Sequence, residues 1–155
     1  MAWTTPRDWT DGELVTEALL DTHLRDNLLA LTTWTAYTPT WATPVGLGNG
    51  TLAGRYIAAG DLCHFSLQLV FGSTTNPGTS TGWTFTLPVV AAGAAVASAY
   101  ILDSGATHYN GVARINSGAS TFDVTTNSSA FPLGYAVPFT WATNDVLYVS
   151  GTYEI

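Results

Sequence analysis

The apolar positions near the start of the chain recur with a helical period. Between about Glu13 and Leu31, the residues Leu20, Leu24, Leu28 and Leu31 are spaced four, four and three apart, which places them on one helix face. Val15, Ala18 and Leu19 widen that face. Thr16 is the expected N-cap, and Glu17 in the first turn suits the positive end of the helix dipole. Asp21 and Arg25, four apart, can pair on the surface, and the β-branched Thr32 and Thr33 end the run. A helix this short is marginal alone in water, so its leucine face needs a partner. The partner is the rest of the same chain or copies of the helix from sister chains, and the spacing is compatible with a short three-stranded bundle.

From Thr35 onward the period changes to two. Strands are expected at Thr35–Thr43, Thr51–Ala59, Leu62–Phe71, Trp83–Leu87, Ala95–Leu102, Tyr109–Ile115, Thr121–Thr126 and Val146–Ile155. In Leu62–Phe71, Cys63, Phe65, Leu67, Leu69 and Phe71 share one face, while His64, Ser66 and Gln68 point away. Gly46-Leu47-Gly48-Asn49-Gly50 is a turn cluster whose Asn-Gly step signals a hairpin, and Ala59-Gly60-Asp61 joins the next two strands. About eight short strands after one helix predict a mainly β protein: an N-terminal helix followed by a β-sandwich or jelly-roll-like domain. The division is residues 1–34 as an arm and helix for docking or oligomerisation, and residues 35–155 as the β-domain.

Composition sharpens the picture mainly through charge. Only 10% of the 155 residues are charged, against roughly 25% in an ordinary globular protein. A surface so poor in charge has little mutual repulsion to keep copies apart, which favours assembly. The net charge is −7, lysine is absent, and the four arginines (Arg7, Arg25, Arg55 and Arg114) are scattered. Phosphate neutralisation needs clustered cations, so neither nucleic acid nor an anionic membrane is expected as a partner. No apolar run approaches the length of a membrane-spanning helix, and Met1–Arg7 lacks the layout of a signal peptide, so synthesis in the host cytoplasm is expected.

Candidate chemistry is sparse. Cys63 stands alone, without a disulfide partner or the companions of a metal site, and reads as a small buried hydrophobe. The candidate bases His23, His64 and His108 are dispersed, and there is no Gly-x-Ser-x-Gly elbow. His23 and Asp26, three apart, read as a solvated polar face; in a trimer, copies of His23 meeting at an axis are the one route to an ion. Asp61 and Asp145 occupy turn positions that an Asx hydrogen bond explains. No catalytic residue, metal ligand or cofactor is expected, and the protein is not expected to be an enzyme.

Aromatic residues are the remaining resource. Trp3, Trp9 and Trp34 accompany the N-terminal segment, and Trp41, Trp83 and Trp141 fall in the β part. They read first as core or subunit-interface anchors. Exposed aromatics on loops also grip sugar rings, so a carbohydrate-binding module for host-receptor or cell-wall glycans is the alternative function. Tyr109, flanked by His108 and Asn110, is the best surface candidate for ligand contact.

Several stretches carry a family resemblance. Met1-Ala2-Trp3-Thr4-Thr5-Pro6-Arg7, Gly12-Glu13-Leu14-Val15-Thr16 and Thr22-His23-Leu24-Arg25-Asp26-Asn27-Leu28 resemble the start of small structural (minor tail or virion) proteins of actinobacterial tailed phages and prophages. Trp34-Thr35-Ala36-Tyr37-Thr38-Pro39-Thr40-Trp41 and Gly48-Asn49-Gly50-Thr51-Leu52-Ala53-Gly54-Arg55-Tyr56 resemble the β-domain that follows in them, as far as Phe85-Thr86-Leu87-Pro88. The closing Asn144-Asp145 and Gly151-Thr152-Tyr153-Glu154 fit as well. The resemblance implies a place in the virion, as a tail-tip, fibre or head-decoration component. It also implies a homotrimer with itself and other virion proteins as partners, and it carries no catalytic residues. Docking or oligomerisation is then expected at Trp3, Trp9, Leu20, Leu24, Leu28 and Leu31.

Overall fold

The computed structural model describes residues 3–42, 44–129 and 131–155. Met1 and Ala2, at the start of the expected docking arm, and Thr43, the end of the first expected strand, lie outside the described residues. The helical segment comprises α1 (Glu17–Leu20), a π-helical turn (Asp21–Arg25) and α2 (Asp26–Ala30). Thr16 caps it, its hydroxyl accepting from the Leu19 N–H, and Asp21 meets Arg25 at 2.6 Å, both as the sequence predicts. Among the described residues nine strands follow: β1 (Thr35–Tyr37), β2 (Trp41–Ala42), β3 (Thr51–Ala59), β4 (Leu62–Val70), β5 (Thr84–Thr86), β6 (Ala95–Asp103), β7 (Thr107–Ile115), β8 (Thr121–Thr126) and β9 (Val146–Glu154).

All nine form one antiparallel sheet in the order β1-β3-β4-β9-β6-β7-β8-β5-β2. The mainly β expectation holds. The two facing sheets of a sandwich or jelly roll do not appear as separate hydrogen-bonded units. The ends of the order, β1 and β2, are consecutive in the chain and joined through Thr38-Pro39-Thr40. Laid flat, nine strands would separate those edges by about 38 Å, whereas the link from Tyr37 to Trp41 reaches at most about 14 Å. The sheet therefore curls until its ends come together, and one extended segment seals both edges. The Thr40 carbonyl accepts from the Thr86 N–H at 3.1 Å, and the Thr40 N–H donates to the Thr86 hydroxyl at 2.8 Å.

Alternation along the strands fills the inside of the curl. Cys63, Phe65, Leu67 and Leu69 of β4 are buried with Phe85, Ile101, Ile115, Phe122, Val124, Leu147, Val149 and Tyr153 from the other strands. Trp41, Trp83 and Trp141 join them with Phe71: ring centroids lie 4.8 Å apart for Trp41 and Trp83, 5.2 Å for Trp83 and Trp141, and 4.9 Å for Phe71 and Trp141. The core reading of these three tryptophans is correct. Trp141 and Leu133 arrive on the segment between β8 and β9, which carries no strand among its described residues yet bonds to the sheet. The Leu133 N–H donates to the Val124 carbonyl, and the Trp83 N–H donates to the Leu133 carbonyl, each at 2.8 Å.

The Asn-Gly hairpin signal at Asn49-Gly50 is a misreading. β2 is only two residues long and pairs with β5, so the segment before β3 has no hairpin partner there. The Asn49 carboxamide instead clasps the loop after β4, its oxygen accepting from the Thr74 N–H and hydroxyl at 2.9 Å. Gly60-Asp61 does close the β3–β4 hairpin, with Gly60 at φ 58°. Asp145 is a buried bridge as well as a turn residue, its carboxylate accepting from the Ala142 N–H at 2.6 Å and the Ser104 N–H at 2.8 Å.

Candidate functional site

Two surfaces stand out once the core is removed from consideration. The first is the helical segment. Its contact with the rest of the chain runs through His23, Asn27 and Ala30, three to four residues apart. Asn27 and Ala30 are buried, and α2 lies against β3. Asn27 also pins the arm: its carboxamide oxygen accepts from the Thr4 N–H at 2.9 Å and its Nδ2 donates to the Thr4 carbonyl at 2.8 Å. Arg7 meets Glu13 at 2.5 Å and stacks over Trp9, which sits edge-on to His23. The arm from Trp3 onward is thus folded back on the helix.

The leucines turn the other way. Leu20, Leu24, Leu28 and Leu31 are 45%, 55%, 57% and 49% exposed; Trp9 is also exposed, while Trp3 is half-buried. Of the two expected partners for this face, the chain's own β-sheet does not cover it. His23 lies on the stripe facing the arm, under Trp9, and not among the leucines.

The second surface is the outer face of the sheet. The expected trio of His108, Tyr109 and Asn110 does not converge there. All three lie on β7, where successive side chains alternate. Tyr109 turns inward, half-buried, and stacks on Phe139 at 5.6 Å; His108 and Asn110 face out. His108 stacks on Tyr100 at 5.7 Å, and Tyr100 approaches Tyr148 at 6.4 Å. Gln68 Nε2 donates to the Tyr148 hydroxyl at 3.1 Å. Further along, Trp34 lies between His64, at 5.4 Å, and the Arg55 guanidinium, 4.5 Å above its ring. Between these aromatics runs a groove of about 610 Å³ lined by Ala36, Ala53, Gly54, Arg55, Ser66, Gln68 and Tyr148.

Sequence reasoning missed Tyr100, Tyr148, Gln68 and Arg55 as a group. They come from β6, β9, β4 and β3, and only the register Ala53↔Gln68↔Tyr148↔Tyr100 brings the first three into one row. The available signal was their shared outward parity on four separate strands.

Neither surface assembles acid–base or nucleophilic machinery. His64 Nδ1 is 3.0 Å from the Thr152 hydroxyl, and among the described residues no carboxylate is bonded to the pair. Among the described residues no group of three His, Cys, Asp or Glu side chains is placed to hold a metal ion. Cys63 is buried, and that burial pushes its thiol pKa up, with a hydrogen bond to Tyr153 partly opposing the shift. Burial likewise raises the Tyr153 and Tyr37 phenols above their ordinary value. These are the properties of core groups and not of nucleophiles.

Among the described residues, no helix is long and apolar enough to cross a membrane. No family model and no solved structure matches the chain. A curated protein does: over 115 residues, 70% of this chain, it is 35% identical to the Mu-like prophage FluMu defective tail fiber protein of Haemophilus influenzae. The chain spans 18% of the length of that protein, so the likeness is to one part of a much longer polypeptide. The comparison supports a phage tail protein and does not extend to an actinobacterial origin; the chain is similar to a segment of a phage tail fibre.

Proposed function

We propose that this chain is a structural, non-enzymatic component of a phage tail fibre, carried in the virion and partnered by other tail proteins. The observation that carries this reading is the 35% identity to a prophage tail fibre protein across 115 residues. That likeness favours the tail over head decoration, the other virion position the family resemblance implies. Within the fibre, residues 1–34 serve as the docking and oligomerisation device and residues 35–155 as the displayed β-domain. The exposed Leu20, Leu24, Leu28 and Leu31 support self-association, as the homotrimer that the family resemblance implies and with which their spacing is compatible. Completing the burial of these half-exposed leucines contributes roughly 3–6 kcal/mol per chain. That is comparable to the cost of immobilising a subunit, so assembly is concentration-dependent unless the sheet surface also takes part.

Immunogold labelling of phage particles tests the location: label confined to the tail fibre supports the reading, and label on the head overturns it. Solution mass tests the assembly: a species of three 16.4 kDa chains is expected. The Leu24→Gln/Leu28→Gln double variant is expected to run as a monomer. A wild-type monomer at high concentration overturns the self-association. Removing residues 1–11 is expected to abolish incorporation into particles while the β-sheet signal in circular dichroism persists.

A further inference from the structure

Charge bookkeeping singles out one residue. Arg7 is paired with Glu13 at 2.5 Å, Arg25 with Asp21 and Asp26 at 2.6 and 2.9 Å, and Arg114 with Asp123 at 2.6 Å. Arg55 is the one arginine among the described residues for which no carboxylate lies within ion-pair distance, in a chain with eleven acids and four arginines. It is not a loose surface side chain. Its guanidinium is held 4.5 Å over the Trp34 ring, and it forms part of the wall of the outer-face groove. No acid lines that groove, and its small residues Ala36, Ala53, Gly54 and Ser66 leave room above the sheet.

We propose that this groove binds an acidic saccharide, with Arg55 receiving the ligand's carboxylate or phosphate and Tyr148 and Gln68 receiving the sugar ring. The inference stands on the sheet's outer face alone and goes beyond the assembly reading above. Each ligand feature has its counterpart. A planar guanidinium presents a fork of donors that matches a carboxylate or phosphate, and stacking on Trp34 pre-orients it. The half-exposed Tyr148 ring offers an apolar face to the C–H side of a pyranose. Gln68 spends one amide N–H on the Tyr148 hydroxyl, which leaves its other N–H and its carbonyl oxygen for ring hydroxyls. A single cation is too little for nucleic acid, and the shallow floor has no pocket for an apolar peptide anchor. The groove volume lies within the range of ordinary ligand clefts.

The test titrates the full-length protein with three probes: a glucuronic-acid-containing disaccharide, glucose 6-phosphate and the neutral cellobiose. The readout is the NMR shift of the Arg55 Nε–H and the Gln68 side-chain amide. At least one acidic probe is expected to move both signals with an affinity about tenfold above cellobiose, the scale of one charge-assisted hydrogen bond. Response to glucuronate alone assigns a carboxylate ligand, and response to the phosphate ester alone assigns a phosphorylated one. Arg55→Gln is expected to remove the acidic preference while leaving the weak neutral binding, and Tyr148→Ala to weaken all binding. Arg114→Gln, which removes the same charge away from the groove, is expected to change nothing. Coincident thermal melts confirm that the variants remain folded. Equal affinity for cellobiose, retention of the preference in Arg55→Gln, or no shift with any probe at tens of millimolar overturns the proposal.

Discussion

The sheet and the helical segment solve the problem of apolar surface in opposite ways. The sheet curls until its two ends are stitched by one segment, and its inward residues from Cys63 to Tyr153 vanish from solvent. The helical segment also carries an apolar stripe, interrupted by a π-helical turn, and buries its neighbour instead. Asn27 and Ala30 go against the arm and sheet, and the leucines stay out. One region buries its apolar face within the chain and the other leaves it exposed. The leucine period has no acceptor within the chain, which is the observation on which the proposed docking role rests.

That contrast can be broken most severely at the centre of the core. Trp83→Ala removes a fully buried ring from contact with Trp41, Phe71 and Trp141, and is expected to cost about 3–5 kcal/mol in urea unfolding. A smaller loss is expected from Gly54→Ala. Tyr37 on β1 lies directly over Gly54 on β3, and an added Cβ would overlap its ring. Displacing Tyr37 loosens the seam of the curl at a cost of about 1–3 kcal/mol, and hydrogen exchange at Ala36 and Tyr37 should rise with it. The smallest effect belongs to the helix. Leu24→Gln/Leu28→Gln, measured on dilute monomeric protein, should shift the sheet's stability by no more than about 0.5 kcal/mol. A large loss there would mean that the leucines support the sheet and that the two regions are one cooperative unit.

Much of this arrangement is legible in the sequence. The limits of β3 and β8 follow from the alternation in Thr51–Ala59 and Thr121–Thr126, and the Thr16 cap and the Asp21–Arg25 pair follow from local chemistry. These features depend on residues within a few positions of one another. Some errors are local, such as the break of the expected Thr35–Thr43 strand and the alternation along β7, and others involve residues distant in sequence. Asn49-Gly50 carries the local signature of a hairpin, yet its partner is the loop around Thr74. His108, Tyr109 and Asn110 are adjacent in the chain and diverge in space, whereas Arg55, Gln68, Tyr148 and Tyr100 are far apart and share one face.

The sequence by itself therefore determined which residues point inward and which outward, because strand and helix periods are properties of the local backbone. It also determined that charge is scarce and that hydrolytic or metal chemistry has no obvious constellation. Only the tertiary structure decided which strands are neighbours. It inserted β9 between β4 and β6, brought the two sheet ends together through Thr38-Pro39-Thr40, and turned Tyr109 inward onto Phe139. It also left the leucine stripe facing solvent, and it left Arg55 unpaired beside Trp34. Pairing between distant strands is set by the joint burial of many side chains at once, and no local window of the sequence contains that sum.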